Sequence, residues 1–227
     1  MSIRLKRVVL IDPEKKVKLT KDKKLWIPDN DNWFWRDGYE QKHFFDAMRF
    51  IPNRGVALDI GAHVGIWTKR LSTIFEKVIS FEPVEEHVEC WKENCKGIEN
   101  VEIHSLGISN KIDTVNMKVT QHNSGMSTLE FNPDRIRTSK IKKVNTATID
   151  SFDFDEVDFI KIDTEGHELC VLEGAVNTIK RCKPKIFIEI HNRELKKDIN
   201  AYKFLTDLGY SQILELSGSN FLMGLGD

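Results

Sequence analysis

The sequence predicts an α/β domain built on a mostly parallel sheet of seven strands that finishes in an antiparallel hairpin. Three observations carry this expectation. From residue 56 onward, short apolar runs alternate with segments whose apolar residues fall at helical spacing, the order that builds parallel sheets. The runs 157–162 and 185–190 are almost continuously apolar, apart from Lys161 and Glu189, as central strands covered on both faces should be. The last two strand-like runs, 211–216 and 220–225, are separated by Ser217, Gly218 and Ser219, a link too short for a crossover, so they must pair antiparallel.

The remaining elements follow in order. Residues 4–11 and 17–27 partly alternate around a Pro/Glu/Lys turn and suggest a hairpin, followed by a polar, aromatic-ended stretch and a helix over 39–50 that stops near Pro52. Residues 1–52 therefore read as an N-terminal β/α extension packed on a domain spanning 53–227. Within that domain the expected order is strand 56–60, helix 65–75, strand 78–81, helix 84–95 and strand 101–104. An inserted β region follows over 114–119, 127–131 and 142–149. Strand 157–162, helix 168–182, strand 185–190, helix 198–208 and the closing hairpin complete the chain.

Composition narrows the function classes. The 227 residues are 40% hydrophobic and 30% charged, enough for one sizeable core, and 34 basic against 35 acidic residues give a net charge of −1. No basic excess marks a nucleic-acid or anionic-membrane surface, and no apolar run approaches the roughly 20 residues that span a bilayer. The first residues are basic, but no secretory apolar run follows them, so a cytoplasmic location is expected. Cys90, Cys95, Cys170 and Cys182 form no CxxC pair and the seven histidines are scattered, so reduced thiols and no zinc are expected.

The segment Asp59-Ile-Gly61-Ala62-His63-Val-Gly65 ends a buried strand and turns into a helix through two glycines that permit close approach. It lacks the GxGxxG pattern of a dinucleotide loop, which makes a pyrophosphate cradle doubtful. The next strand ends Phe81-Glu82-Pro83, placing a carboxylate 21 residues after Gly61, near the spacing at which an acid reaches a ribose hydroxyl pair. A nucleoside without a pyrophosphate fits best. S-adenosylmethionine is such a ligand, and the loop with its strand-end acid resembles the cofactor site of class I methyltransferases, which have a Rossmann-like sheet.

A second segment narrows the resemblance. Residues 157–175 contain Lys161-Ile-Asp163-Thr-Glu165-Gly-His167-Glu168, and Pro184-Lys-Ile-Phe-Ile-Glu189-Ile-His191 follows. Together with the upstream loop, and in the same order, these resemble the FkbM family of methyltransferases over roughly residues 55–192, with weaker similarity at Gly38-Tyr-Glu40. The resemblance implies methyl transfer from S-adenosylmethionine, with a hydroxyl on a sugar, glycan precursor or secondary metabolite as acceptor, and it does not imply a metal; with no basic excess, no nucleic-acid partner is expected. It places Asp59, Gly61, Ala62, His63, Gly65, Glu82, Pro83 and Asp163 about the cofactor. Ser105 and Leu106, after the third strand, stand where such enzymes hold the adenine.

Asp163, Glu165 and His167 sit where the fourth strand of the parallel core meets its helix, at the edge where the transferred methyl should lie. Methyl transfer needs an aligned acceptor and one base to receive its proton. Asp163 or His167 is the expected base, ahead of Glu165 and His191. Glu168 has a structural explanation as a helix-start cap. Lys161, an ammonium among apolar residues, requires a partner, for which Glu189 on a neighbouring strand is the expected choice. His63 either covers the ligand or only shapes the loop. The segment Asn132-Pro-Asp-Arg135 reads as a turn rather than an amino-methylation motif, and Trp26, Trp33, Phe34 and Trp35 as core packing or a lid. Two other classes stay open: a nonenzymatic module that binds S-adenosylmethionine or a glycan, and a nicotinamide-dependent oxidoreductase. An exposed N-terminal edge strand would suit a homodimer.

Overall fold

The computed structural model describes residues 11–12, 16–20, 24–31, 38–120, 124–129, 139–191 and 200–226. Its centre is a seven-stranded sheet. In chain order the strands are β4 (Val56–Ile60), β5 (Lys77–Phe81), β6 (Val101–His104), β10 (Phe159–Ile162), β11 (Lys185–Glu189), β12 (Tyr210–Ser217) and β13 (Asn220–Leu225). They lie side by side as β12-β13-β11-β10-β4-β5-β6. The pairs from β11 to β6 are parallel, whereas β13 runs antiparallel to both β11 and β12. The strand order reverses direction between β4 and β10, and the carboxyl ends of both meet at that crevice, the place where open α/β sheets bind ligands.

Side-chain alternation divides the core between the two faces of the sheet. Leu58, Ile60, Ile160, Ile162, Ile186 and Ile188 bury one face against α4 (Glu168–Glu173), α5 (Val176–Cys182) and α6 (Ala201–Asp207). Ala57, Val78, Phe159, Phe187 and Leu222 bury the other, against Phe44, Ala47 and Met48 of α1 (Gln41–Met48) and Trp67 and Leu71 of α2 (Ile66–Leu71). The helix α3 (Glu85–Asn94) brings Trp91 onto Ala62.

Several boundaries differ from expectation. The helix expected over 65–75 ends at Leu71. The one expected over 168–182 is two helices, broken at Gly174, where a Cβ would stand 2.0 Å from the Ser109 carbonyl oxygen. Asp150 then caps the second helix by accepting from the backbone N–H groups of Asn177 and Thr178. The β region after β6 is a separate sheet, β7 (Gly107–Ile108), β9 (Ser139–Ala147) and β8 (Asp113–Thr120) in spatial order. Of the strand expected over 127–131, residues 130–131 lie outside the described residues, and Thr128 forms a bridge with Lys118.

At the N-terminus the first expected strand lies outside the described residues up to residue 10, and the described part forms a three-stranded meander, β1 (Ile11–Asp12), β2 (Val17–Leu19) and β3 (Trp26–Pro28). The second run holds two of these strands, and between them the Thr20 N–H donates to the Leu25 carbonyl oxygen. Val17, Leu25 and Ile27 pack on Val64, Ile66 and Cys90, and Asn94 holds the backbone N–H and carbonyl of Trp26. Trp33, Phe34, Trp35 and the 132–135 segment lie outside the described residues. Among the described residues no helix is long and apolar enough to cross a membrane, and no group of three or more His, Cys, Asp or Glu side chains is arranged to hold a metal.

Candidate active site

A cavity of about 1140 Å³, counting the solvent at its mouth, opens over the carboxyl ends of β4, β5, β10 and β11. One end is built by the loop after β4. Gly61 has φ +76°, and a Cβ there would sit 1.9 Å from the Asp163 carbonyl oxygen, so only glycine lets the two strand ends approach this closely. Gly65 has φ +87° and faces Trp91 and Cys95 rather than the cavity; its role is packing. Asp59 is also below the cavity floor, fully buried, with Oδ2 accepting from Thr68 Oγ1 at 2.6 Å.

Glu82 lines this end. Its Oε1 accepts from the Val84 N–H at 2.9 Å and from His87 Nδ1 at 3.1 Å, and its Oε2 accepts from the His63 N–H at 3.0 Å. With two lone pairs on each oxygen, one acceptor position on Oε2 is left for a hydroxyl. His63 stands edge-on to His87, with ring centroids 4.5 Å apart. Its Nε2 lies 2.6 Å from Ser124 Oγ, and since that hydroxyl donates to Asp31, Nε2 carries the proton. Burial, with His87 and Lys161 nearby, pushes His63 well below the usual imidazole range, so the ring is neutral. Pro83, Ile108, Met117 and Leu129 supply an apolar wall.

At the other end Tyr39, Glu40, Asp163, Glu165 and Glu189 line the cavity together with Trp67 and Lys161. Lys161 is buried where the two ends meet: Nζ donates to the Gly61 carbonyl oxygen at 2.9 Å and lies 3.3 Å from Asp163 Oδ2 and 3.7 Å from Asp59 Oδ1. Its partners are thus the two aspartates, and the expected pairing with Glu189 is corrected. The register explains why: Lys161 stands beside Asp59 on β4 and Phe187 on β11, so Glu189 comes level with the following strand end instead. Burial opposes the ammonium, but Asp163, Asp59 and Glu40 outweigh it and hold Lys161 above its ordinary range. Burial and Asp163 raise Glu40, although its Oε2 accepts from Trp67 Nε1 at 2.8 Å.

The structure thus brings Gly61, Ala62, His63, Glu82, Pro83, Asp163 and Glu165 to one cavity, and leaves other expected residues off it. Ser105 and Leu106 do not line it; the following pair, Gly107 and Ile108, does, because Leu106 turns into the core. His167 is drawn away by Ser109 Oγ, 3.0 Å from its Nε2, and His191 supports Glu165, 3.1 Å from Oε2, without reaching the lining. Glu168 caps the turn, its Oε1 accepting from the N–H groups of Thr164 and Gly166. Sequence reasoning missed Glu40, Trp67, His87 and the Ser124–Met126 turn as lining residues. Only Glu40 had a signal, in the Gly38-Tyr-Glu40 similarity.

A family model described as the methyltransferase FkbM domain matches residues 59–211, more than half of the chain. The chain belongs to the FkbM methyltransferase family. The match begins at Asp59 and takes in the Gly61 loop, Glu82 and the Asp163 and Glu189 strand ends, whereas Tyr39 and Glu40 of the cavity lie before it. The FkbM methyltransferase of Methylobacillus flagellatus KT is 19% identical, with a TM-score of 0.51 over 75% of this chain; the chain spans 43% of that protein's length. A Streptococcus mutans protein assigned as a methyltransferase, solved in complex with S-adenosylhomocysteine, is 14% identical, with a TM-score of 0.50 over 84% of this chain and 97% of the other. These likenesses establish the Rossmann-like class I methyltransferase fold for this FkbM member. No protein of curated function matches the chain.

Proposed function

We propose that this chain transfers a methyl group from S-adenosylmethionine to a hydroxyl of a neutral, polyhydroxyl small molecule, such as a sugar, glycan precursor or secondary metabolite. The observation that carries this reading is a cavity with two unlike ends, one suited to a nucleoside and one lined by carboxyls. The residues fit the cofactor: Glu82 keeps one acceptor position for a ribose hydroxyl, the side chain missing at Gly61 leaves room, and Pro83, Ile108, Met117 and Leu129 offer apolar surface to a base. When bound, S-adenosylmethionine supplies a methyl on a positively charged sulfur.

The chain's own residues then orient and exclude. Lys161 ties the Gly61 carbonyl to Asp163 and so fixes the two ends at a set distance. Glu40, Asp163, Glu165 and Glu189 favour hydroxyl donors and disfavour phosphate-bearing acceptors, which argues against nucleic acid. His63 acts by shape and by its N–H to Glu82, its ring being neutral.

Thermal unfolding with S-adenosylhomocysteine and, separately, NAD tests the cofactor assignment. At about 100 times its dissociation constant the former should stabilise by roughly 2.7 kcal/mol, several degrees for a chain of this size. Glu82→Ala should lose most of that shift. A shift with NAD alone would overturn the assignment. A screen of hexoses and methyl glycosides with methyl-labelled S-adenosylmethionine then tests the acceptor class; cofactor binding with no labelled product from any hydroxyl compound would favour a binding module.

A further inference from the structure

We propose that Glu189 is the catalytic base, receiving the acceptor's hydroxyl proton, while Asp163 and Glu165 position. The inference rests on the methyl-transfer reading of the cavity and deepens it. Each other acidic group at that end is already engaged. Asp163 Oδ2 faces the Lys161 ammonium at 3.3 Å, Glu165 Oε2 is paired with His191 at 3.1 Å, and Glu40 Oε2 accepts from the Trp67 indole at 2.8 Å. His167 is turned away to Ser109. Glu189 lines the cavity, half-buried, and among the described residues its carboxyl has one hydrogen-bond contact, a long one from Ser219 Oγ, 3.4 Å from Oε1. It ends β11 beside the end of β10, so its backbone is held by a central strand pair rather than by a loop.

Its surroundings favour holding a proton. Burial, then the carboxylates of Asp163, Glu165 and Glu40, push Glu189 up to about 8, with His191 pulling the other way. Tyr39 also lines this end, and Lys161 stands behind Asp163. A base with a proton affinity near the working pH is the efficient kind. In the transfer step the acceptor oxygen bonds to the methyl carbon, and the carbon–sulfur bond breaks with its electron pair going to sulfur. The hydroxyl proton passes to the Glu189 carboxylate. The products are a neutral ether, a neutral sulfide and protonated Glu189, which returns its proton to solvent.

The test combines a titration that needs no turnover with a rate. In protein carrying carboxyl-labelled glutamate and bound to S-adenosylhomocysteine, the carbon resonance that disappears in Glu189→Gln should titrate near 8. Titration in the ordinary range, about 4.3, would overturn the proposal. With a hydroxyl acceptor from the methyl-label screen, wild-type turnover should rise with pH up to about 8 and then level. Glu189→Gln should lose that rise and fall about 10²–10⁴-fold in kcat, with S-adenosylhomocysteine affinity within about threefold of wild type. A Glu189→Gln variant with wild-type turnover would sink the proposal and leave methyl transfer standing. Failure of wild type to bind S-adenosylhomocysteine would sink both.

Discussion

At the Gly61 end of the cavity the lining carboxylate, Glu82, is met by three donors, and the facing imidazole of His63 is neutral; at the Asp163 end four carboxyls share one ammonium, Lys161. At the first, the polar groups are paired with one another apart from one acceptor position on Glu82 Oε2. The second is under-neutralised, so its groups respond to what enters. On the proposed methyl-transfer reading this end would take a neutral hydroxyl acceptor, and Glu189 would be the carboxyl that moves a proton. That reading gives binding and proton transfer to different ends, and Lys161, bonded to the Gly61 carbonyl and paired with Asp163, ties them.

The largest break should come at the receptor end. Gly61→Ala drives a Cβ to 1.9 Å from a backbone oxygen at a φ of +76°, and neither strand end can move without disturbing the central pair β4–β10. We expect a loss of more than about 4 kcal/mol in urea unfolding, with S-adenosylhomocysteine binding abolished. A variant with a wild-type midpoint would show that the two ends are not held by this contact.

Lys161→Met cuts the tie itself. It leaves Asp59 fully buried without its cation, which should cost about 3 kcal/mol at neutral pH. The sign with pH follows from burial, which already raises Asp59. With the cation gone the folded state holds the proton more tightly than the unfolded one, so the variant should be most stable at low pH. Its stability should fall as pH climbs past about 3.9, the unfolded aspartate value. Unfolding midpoints at a series of pH values check this, and adding Asp59→Asn should restore part of the loss; a pH-independent deficit would mean that packing, not charge, was removed.

The smallest effect sharpens the boundary of the acidic end. His167→Ala removes a ring that meets Ser109 outside the cavity, so turnover should stay within about twofold of wild type and the pH profile should not move. Loss of the profile in this variant would return His167 to the list of proton acceptors.

Much of the frame was legible in the chain. Short apolar runs alternating with helical spacing located the strands of the central sheet, and the Asp59-to-Gly65 turn marked the crevice, because a left-handed residue between strand and helix leaves glycine as its trace. Glu168 was readable as a cap because capping is local, within four residues. What failed was long-range. Spacing within one strand does not say which neighbour it pairs with or at what register, so Lys161 was matched to Glu189, when the adjacent β4 places Asp59 level with it and Asp163 follows on its own strand.

The sequence by itself determined the α/β order, the closing hairpin, the glycine turn and the acids at the strand ends, since each depends on residues a few positions apart. Only the tertiary structure decided which acids share a cavity, which of them a cation or indole has engaged, and that His167 faces away. Apart from the Lys161–Asp163 pair on one strand, those outcomes depend on register, burial and side-chain direction across segments more than twenty residues apart, where the electrostatic cost of each neighbour is set by distance rather than by position in the chain.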